Sequence, residues 1–117
     1  MAYKSKMKLV DDDYEYKLTL QCPHCDEGYL HHSAIASFTR LVEDGDCMLH
    51  ATQLKGDTGI PSFVSQLTKN QFKNPSERRS GIRIKFDCEI CENYSDLCIA
   101  QHKGSTYMWM EHAMEAE

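Results

Sequence analysis

Two Cys-x-x-Cys pairs are the residues of this chain whose type and spacing most clearly indicate chemistry. They are Cys22-Pro23-His24-Cys25 and Cys88-Glu89-Ile90-Cys91. Each pair can chelate a metal ion, and four thiolates at about 2.3 Å satisfy the tetrahedral preference of Zn²⁺. Such a closed site leaves no coordination position for a substrate. The pairs therefore predict one structural zinc ion, with Cys22, Cys25, Cys88 and Cys91 as its ligands.

A redox site is the alternative interpretation of the first pair. Its four residues are also those of the active site of the oxidising thioredoxin-fold enzymes. Such enzymes place the first cysteine at a helix N-terminus, where the helix dipole lowers its pKa. Here Asp26, Glu27 and Gly28 follow the pair. Two carboxylates oppose a thiolate and a glycine interrupts a helix, so zinc binding is favoured over dithiol catalysis.

Strands must position both cysteine pairs. Tyr14–Leu20 and Gly81–Asp87 alternate apolar and polar residues and run directly into the first and second pair. This period of two predicts half-buried strands. Further strands are predicted over 29–41, where helix is the alternative, and over 47–54, 94–102 and 105–110. Lys103-Gly104 is predicted to form the turn between the last two.

Residues 55–80 break the alternating pattern. Glycine, proline and asparagine punctuate this stretch, and Phe63, Val64 and Leu67 predict a short helical turn within it. A loop of this length inside a compact domain is either functional or disordered.

The predicted domain organisation has one folded unit. A flexible polar arm is expected over 1–13 and an acidic tail over 111–117. Between them, 14–110 is predicted to form a single domain with an inserted hairpin and the loop 55–80.

A strand, a cysteine pair and a return strand, occurring twice, resemble a zinc ribbon over 14–38 and 81–110. The four cysteines match the ligand positions of that family, although 62 residues separate the pairs, where about 15–20 are typical. Tyr29-Leu30-His31-His32, 76–81 and 101–104 are similar to segments of small uncharacterised bacterial and phage proteins with this knuckle pair. The resemblance implies a mainly β, antiparallel sheet with a zinc-ribbon core and a long inserted loop, and it implies no activity.

Other residues offer weaker chemistry. His24 could compete as a ligand, but four thiolates already close the coordination shell. Cys47 and Cys98 are expected to be buried as small hydrophobic residues. A second metal site from them and one histidine is the alternative, and the candidates are His31, His32, His50 and His102. No nucleophile–base set, phosphate loop or His-Glu-x-x-His is present in the sequence, so we expect no enzyme.

The charge distribution indicates a partner surface. The chain has a net charge of −5, yet 53–85 carry seven basic and two acidic residues. The remaining residues include six basic and sixteen acidic side chains. Guanidinium groups bind carboxylates and phosphates bidentately. A protein partner is expected, as for an interaction or inhibitory accessory module. Nucleic acid is the alternative partner, but the negative net charge of the chain disfavours it. The predicted contact residues are Lys73, Arg78, Arg79, Arg83 and Lys85.

The sequence also indicates a compartment. No run of eighteen apolar residues predicts a transmembrane helix, and Met1–Val10 has no apolar stretch typical of a secretory signal. We therefore expect no membrane partner and a cytoplasmic location. In that reducing environment, six cysteines serve as thiols or metal ligands more often than as disulfides.

Overall fold

The computed structural model of this protein describes residues 2–11, 16–40, 42–54, 61–68 and 74–113. Nine strands and no helix occur in these ranges, so the predicted mainly β, antiparallel fold is confirmed. The strands are β1 (Ala2–Ser5), β2 (Leu9–Asp11), β3 (Leu18–Leu20), β4 (Leu30–Thr39), β5 (Cys47–Leu54), β6 (Pro61–Thr68), β7 (Gly81–Cys88), β8 (Tyr94–His102) and β9 (Ser105–Ala113).

Seven of the strands form one antiparallel sheet, in the order β1-β9-β8-β7-β4-β5-β6. The remaining two, β2 and β3, pair with each other in a small separate sheet. The predicted turn at Lys103-Gly104 joins β8 to β9, with φ of 49° and 84° at its two residues. Positive φ at both positions suits a two-residue hairpin, because its twist then matches that of the strands.

The N-terminal segment differs from the predicted flexible arm. Ala2–Ser5 pairs with the end of β9, and Leu9–Asp11 pairs with Leu18–Leu20. Neither strand is long enough to show periodicity, and the partner of the first lies at the other end of the chain. Within the predicted strand Tyr14–Leu20, Leu18–Leu20 is strand and 16–17 are not, whereas 14–15 lie outside the described residues.

The predicted loop 55–80 contains a strand. β6 pairs with β5 along its whole length, so the predicted helical turn at Phe63–Leu67 is wrong. Eight cross-strand pairs hold this segment extended. These contacts with β5 outweigh the short helical pattern in its sequence. Residues 55–60 and 69–73 lie outside the described residues. At the C-terminus β9 continues to Ala113, into the predicted acidic tail. The predicted domain boundaries remain predictions.

The core lies on one face of the large sheet. Phe38, Cys47 and Leu49 form a buried cluster there. Asn74, itself buried, packs against it and donates a hydrogen bond from Nδ2 to the carbonyl oxygen of Arg79 at 2.9 Å. The segment that begins at Asn74 is thereby fixed on the sheet next to β7.

Candidate metal centre

Pairing of β4 with β7 brings the two cysteine pairs together. The first pair precedes β4, and the second pair begins at Cys88, the last residue of β7. Leu30 and Cys88 are register partners, and the Glu89 amide donates a hydrogen bond to the Tyr29 carbonyl at 3.0 Å. The pairing of these two strands therefore brings together two motifs that lie far apart in the sequence.

The four sulfur atoms form one compact group. All lie within 4.8 Å of one another. Cys22 Sγ is 3.7 Å from Cys91 Sγ, and Cys25 Sγ is 3.6 Å from Cys88 Sγ. Four sulfurs placed tetrahedrally at about 2.3 Å from one ion lie about 3.8 Å apart, whereas a disulfide requires about 2.05 Å. The spacing is thus compatible with a zinc-ribbon-like metal site.

The first knuckle has a defined backbone geometry. The Cys22 amide donates to the Glu27 carbonyl at 2.8 Å, and the Asp26 amide donates to the Cys22 carbonyl at 2.9 Å. Asp26 adopts a positive φ of 63°. The His24 amide lies 3.4 Å from Cys22 Sγ, the amide–sulfur contact that orients a ligating thiolate. Lys8 Nζ, at 2.6 Å from Asp26 Oδ1, ties the turn to the segment before β2.

The second knuckle repeats this geometry at the same offsets. The Cys88 amide donates to the Asn93 carbonyl at 3.0 Å, and the Glu92 amide donates to the Cys88 carbonyl at 3.0 Å. Glu92 has a φ of 60°. The backbone amide and the side chain of Asn93 hydrogen-bond to the sulfur of Cys91. Each Cys-x-x-Cys pair therefore forms the same preformed chelating turn.

The thiols of the cluster differ in their pKa values. Burial raises the pKa of Cys22 to about 12. For Cys91, burial also acts to raise the pKa, but hydrogen bonds from Asn93 and from the neighbouring thiols bring it down to about 7. Adjacent thiolates repel each other and are poorly solvated here. A bound dication supplies the charge that allows all four sulfurs to ionise together.

His24 points towards β8 and β9. Its Nε2 lies 3.3 Å from the Tyr94 carbonyl oxygen, and its ring packs edge-on against His112, with centroids 4.7 Å apart. The metal-binding group does not include it. The imidazole therefore fastens the first knuckle to the sheet.

The remaining cysteines lie elsewhere in the fold. Cys47 and Cys98 are both buried, as predicted for small hydrophobic residues. Burial raises the pKa of Cys98 to about 12, so its thiol is a poor nucleophile. Among the described residues, the cysteine cluster is the one group of three or more His, Cys, Asp or Glu side chains close enough to hold an ion. The alternative of a second metal site has no support there.

Two of the predicted partner-binding residues lie beside the turn between β4 and β5. Arg78 binds Asp44 through Nε at 3.1 Å and Nη2 at 2.8 Å, and its Nη1 lies 3.4 Å from Glu43. Arg79 Nη2 lies 3.5 Å from the same Glu43 carboxylate. The Arg78 hydrogen bond lowers the pKa of Asp44, against the opposing effect of desolvation. Acidic side chains of this protein therefore already neutralise both arginines.

Two more of the predicted residues lie on β7. Arg83 Nη1 is 3.0 Å from Asp96 on β8 and 3.0 Å from Glu111 on β9, and all three side chains are largely buried. Lys85 Nζ lies 4.3 Å from the ring centroid of Tyr94, a cation–π distance. The fifth residue, Lys73, lies outside the described residues. Each of the four described residues therefore has an acidic or aromatic partner within the chain.

Sequence reasoning missed several residues that build the site. Asn93 was not singled out, although its offset from Cys88 equals that of Glu27 from Cys22, and comparison of the two turns could have found it. The acidic partners of the arginines had no such signal, since Asp44 and Glu111 lie far from them in the sequence. Tertiary pairing alone reveals them.

Comparison with known proteins found no family model that matches this chain, and no curated protein or solved structure with significant similarity. In the part of the chain that the structure describes, no helix is long and apolar enough to cross a membrane.

Proposed function

We propose that this protein is a non-enzymatic zinc-ribbon protein in which one structural Zn²⁺ joins the two knuckles. A single observation carries the metal assignment: sulfur pairs drawn from two distant turns lie 3.6 and 3.7 Å apart, close to the tetrahedral spacing expected for zinc. Tetrahedral sulfur sites also suit iron, and metal analysis distinguishes the two. The likeness to small bacterial and phage zinc-ribbon proteins is part of this proposal.

A structural role follows from the coordination chemistry. Four thiolates complete the shell of a tetrahedral ion, so no position remains for a water molecule or a substrate. The ion would fix the segment between β3 and β4 against the segment between β7 and β8. A zinc ion here contributes to folding free energy and supplies no chemical step.

Thiol–disulfide exchange is poorly supported by the same geometry. The short sulfur contacts join the two knuckles to each other, Cys22 to Cys91 and Cys25 to Cys88. Cys22, the residue that would attack in a dithiol enzyme, is buried and its pKa is raised to about 12. A catalytic thiol of that kind needs a lowered pKa and access to solvent.

The biological role we propose is binding to protein, as an interaction or inhibitory accessory module in the cytoplasm. Exposed large apolar residues support it, among them Ile35 and Met108 on the sheet. Nucleic-acid binding draws most of its free energy from unpaired cations. Arg78 and Arg83 already have acidic partners within the chain, and the net charge is −5. These observations favour a protein partner over a nucleic acid.

Metal analysis of the purified full chain tests the zinc assignment. We expect one zinc per chain, without the visible absorption of an iron–sulfur site, and a clear loss of zinc in Cys91→Ser. The matched control is Cys98→Ala, because Cys98 is a cysteine outside the cluster. That variant should keep one zinc. The proposal is contradicted if the wild-type protein lacks stoichiometric metal. It is also contradicted if Cys91→Ser and Cys98→Ala lose zinc equally.

A further inference from the structure

The large sheet has one charged face and one uncharged face. Register partners in antiparallel strands project to the same side, and Lys4, Glu111, Asp96 and Lys85 form one such row across β1, β9, β8 and β7. Arg83 and Asp87 flank Lys85 at two-residue spacing on β7 and share its face. These six are all the Lys, Arg, Asp and Glu residues in the seven strands: Lys4, Arg83, Lys85, Asp87, Asp96 and Glu111.

The uncharged face carries a patch of aliphatic side chains. The same registers place six of them together on the four strands from β9 to β4: Ile35, Ile82, Ile84, Leu97, Ile99 and Met108. Their alternation with polar residues predicts inward-facing side chains, yet Met108 is 52% exposed, Ile35 41% and Ile82 37%. Water therefore contacts residues that the sequence pattern assigns to a core.

The uncharged face is covered at the end near the knuckles. His112, on this face of β9, contacts the ring of His24 from the first knuckle. Met110 is fully buried, whereas Met108, two residues earlier on the same face of β9, is half exposed. Contiguous exposed apolar patches on soluble proteins mark sites of interaction. The patch beyond Met110 is such a surface.

We propose that a second copy of this chain occupies the uncharged face, sheet against sheet. This inference rests on the proposed function as an interaction module and names its partner. A two-fold interface is self-complementary, so each charge near the axis meets its own like charge. The uncharged face brings none of the Lys, Arg, Asp and Glu side chains of the seven strands to such an axis. An acidic or basic partner would find no complementary charge there.

The size of the face suits a modest dimer. The uncharged face continues onto β5 and β6, where the registers place the exposed side chains of Met48 and Leu67 on the same side as Ile35. The six strands from β9 to β6, spaced by about 4.8 Å, span about 24 Å, and six residues of strand cover about 20 Å. Each copy thus offers about 480 Å², and a pair buries about 1,000 Å², the lower limit for a specific interface. Two such faces would pack about 10 Å apart with their strands within about 30° of parallel.

Sedimentation of the zinc-loaded full chain across the micromolar range tests this dimer. Met108→Lys places two ammonium groups inside the contact and should raise the dimer dissociation constant at least about 100-fold. The matched control is Tyr107→Lys, because Tyr107 is the neighbouring residue on β9, equally exposed at 52%, and lies on the charged face. Tyr107→Lys should leave the dimer intact. Ile82→Lys is a second variant of the uncharged face, and zinc content and melting confirm folding of each.

The outcomes separate this inference from the proposed function. A wild-type dimer that is lost in Met108→Lys and kept in Tyr107→Lys supports it. A monomeric wild type overturns it, as does a dimer that both substitutions weaken equally or that neither weakens. If the wild type is monomeric but binds uncharged lipid vesicles or another protein through Met108, a second copy is not the occupant. The zinc stoichiometry of the same samples reports on the proposed metal centre independently.

Discussion

Asp26 and Glu92 hold equivalent positions in the two knuckles. Each lies four residues after the first cysteine of its pair, with φ of 63° and 60°, and each donates its amide to the carbonyl of that cysteine. Positive φ is uncommon for residues other than glycine and costs about 1–2 kcal/mol. Two unrelated segments therefore accept the same strained turn, which indicates that the turn itself serves the cysteine geometry.

The first prediction concerns Glu92. Glu92→Gly should be tolerated, because glycine adopts positive φ readily, whereas Glu92→Val should lower the free energy of unfolding by about 1 kcal/mol. Denaturant unfolding of the zinc-loaded protein measures this. Glu89→Val is the control: Glu89 is an exposed neighbour in the same turn, and its φ is not positive. An equal effect of the two valine substitutions would refute the conformational explanation.

The second prediction concerns removal of the metal. Chelation should lower the melting temperature by at least about 15 °C, because metal binding supplies part of the folding free energy. Hydrogen exchange should rise most at the amides of Cys22 and Cys88, whose hydrogen bonds define the knuckles. The large-sheet amides of Leu49 and Ile99 serve as the internal reference. Unchanged melting after complete removal of zinc would contradict a structural ion.

Much of the fold and of the metal centre could be predicted because the signals were local. A Cys-x-x-Cys pair is complete within four residues, and the alternation in Gly81–Asp87 fixes a strand without knowledge of its partners. Tyr94–His102 was predicted with the bounds that the structure gives. In each case the pattern lies within one short segment of the chain.

The rest depended on partners far away in the sequence. Ala2–Ser5 is a strand only because β9 lies beside it, and Pro61–Thr68 only because β5 does. Likewise, Arg83 looked available for a partner in the sequence, but Asp96 and Glu111 on two other strands bind it. Sequence patterns within one strand also could not reveal that the apolar side of β7 lacks a full cover.

The third prediction concerns the nucleic-acid alternative. Wild-type protein should show no binding to DNA or RNA that weakens steeply with salt, because Arg78 and Arg79 already bind Glu43 and Asp44. Titration at two salt concentrations measures this. Tight, salt-sensitive binding that is lost in the double variant Arg78→Ala/Arg79→Ala would establish the alternative, with Lys103→Ala, a basic residue of the β8–β9 turn, as the control.

The fourth prediction concerns pH. Burial acts to raise the pKa of Glu111, but hydrogen bonds from Trp109 and Arg83 outweigh it and hold the pKa below the ordinary value of a glutamate. A carboxyl whose pKa is lower in the folded state stabilises the fold at pH values above its unfolded pKa, and this stability is lost as the pH falls through the lower folded value. The difference in stability between wild type and Glu111→Gln should therefore shrink below about pH 4.5. Denaturant unfolding of both proteins at neutral and acidic pH measures this, and a difference that stays constant across the pH range would contradict the explanation.

The last prediction concerns the close packing of Asn74 and β8 around Gly81. A Cβ at this position would clash with Asn74 Oδ1 and lie 3.1 Å from the Ile99 carbonyl oxygen. Asn74 cannot move away easily, because it is buried and bonded to Arg79 and Ser76. Gly81→Ala should therefore lower the free energy of unfolding by about 2–3 kcal/mol.

Gly104→Ala is the contrasting control for this overpacking. A Cβ at Gly104 meets nothing within 4 Å, but its φ is 84°, so this change should cost only about 1 kcal/mol, through conformation alone. Thermal or denaturant unfolding of both variants compares the two effects. A smaller loss for Gly81→Ala than for Gly104→Ala would mean that the segment beginning at Asn74 does not pack on β7, and the core described above would lack that support.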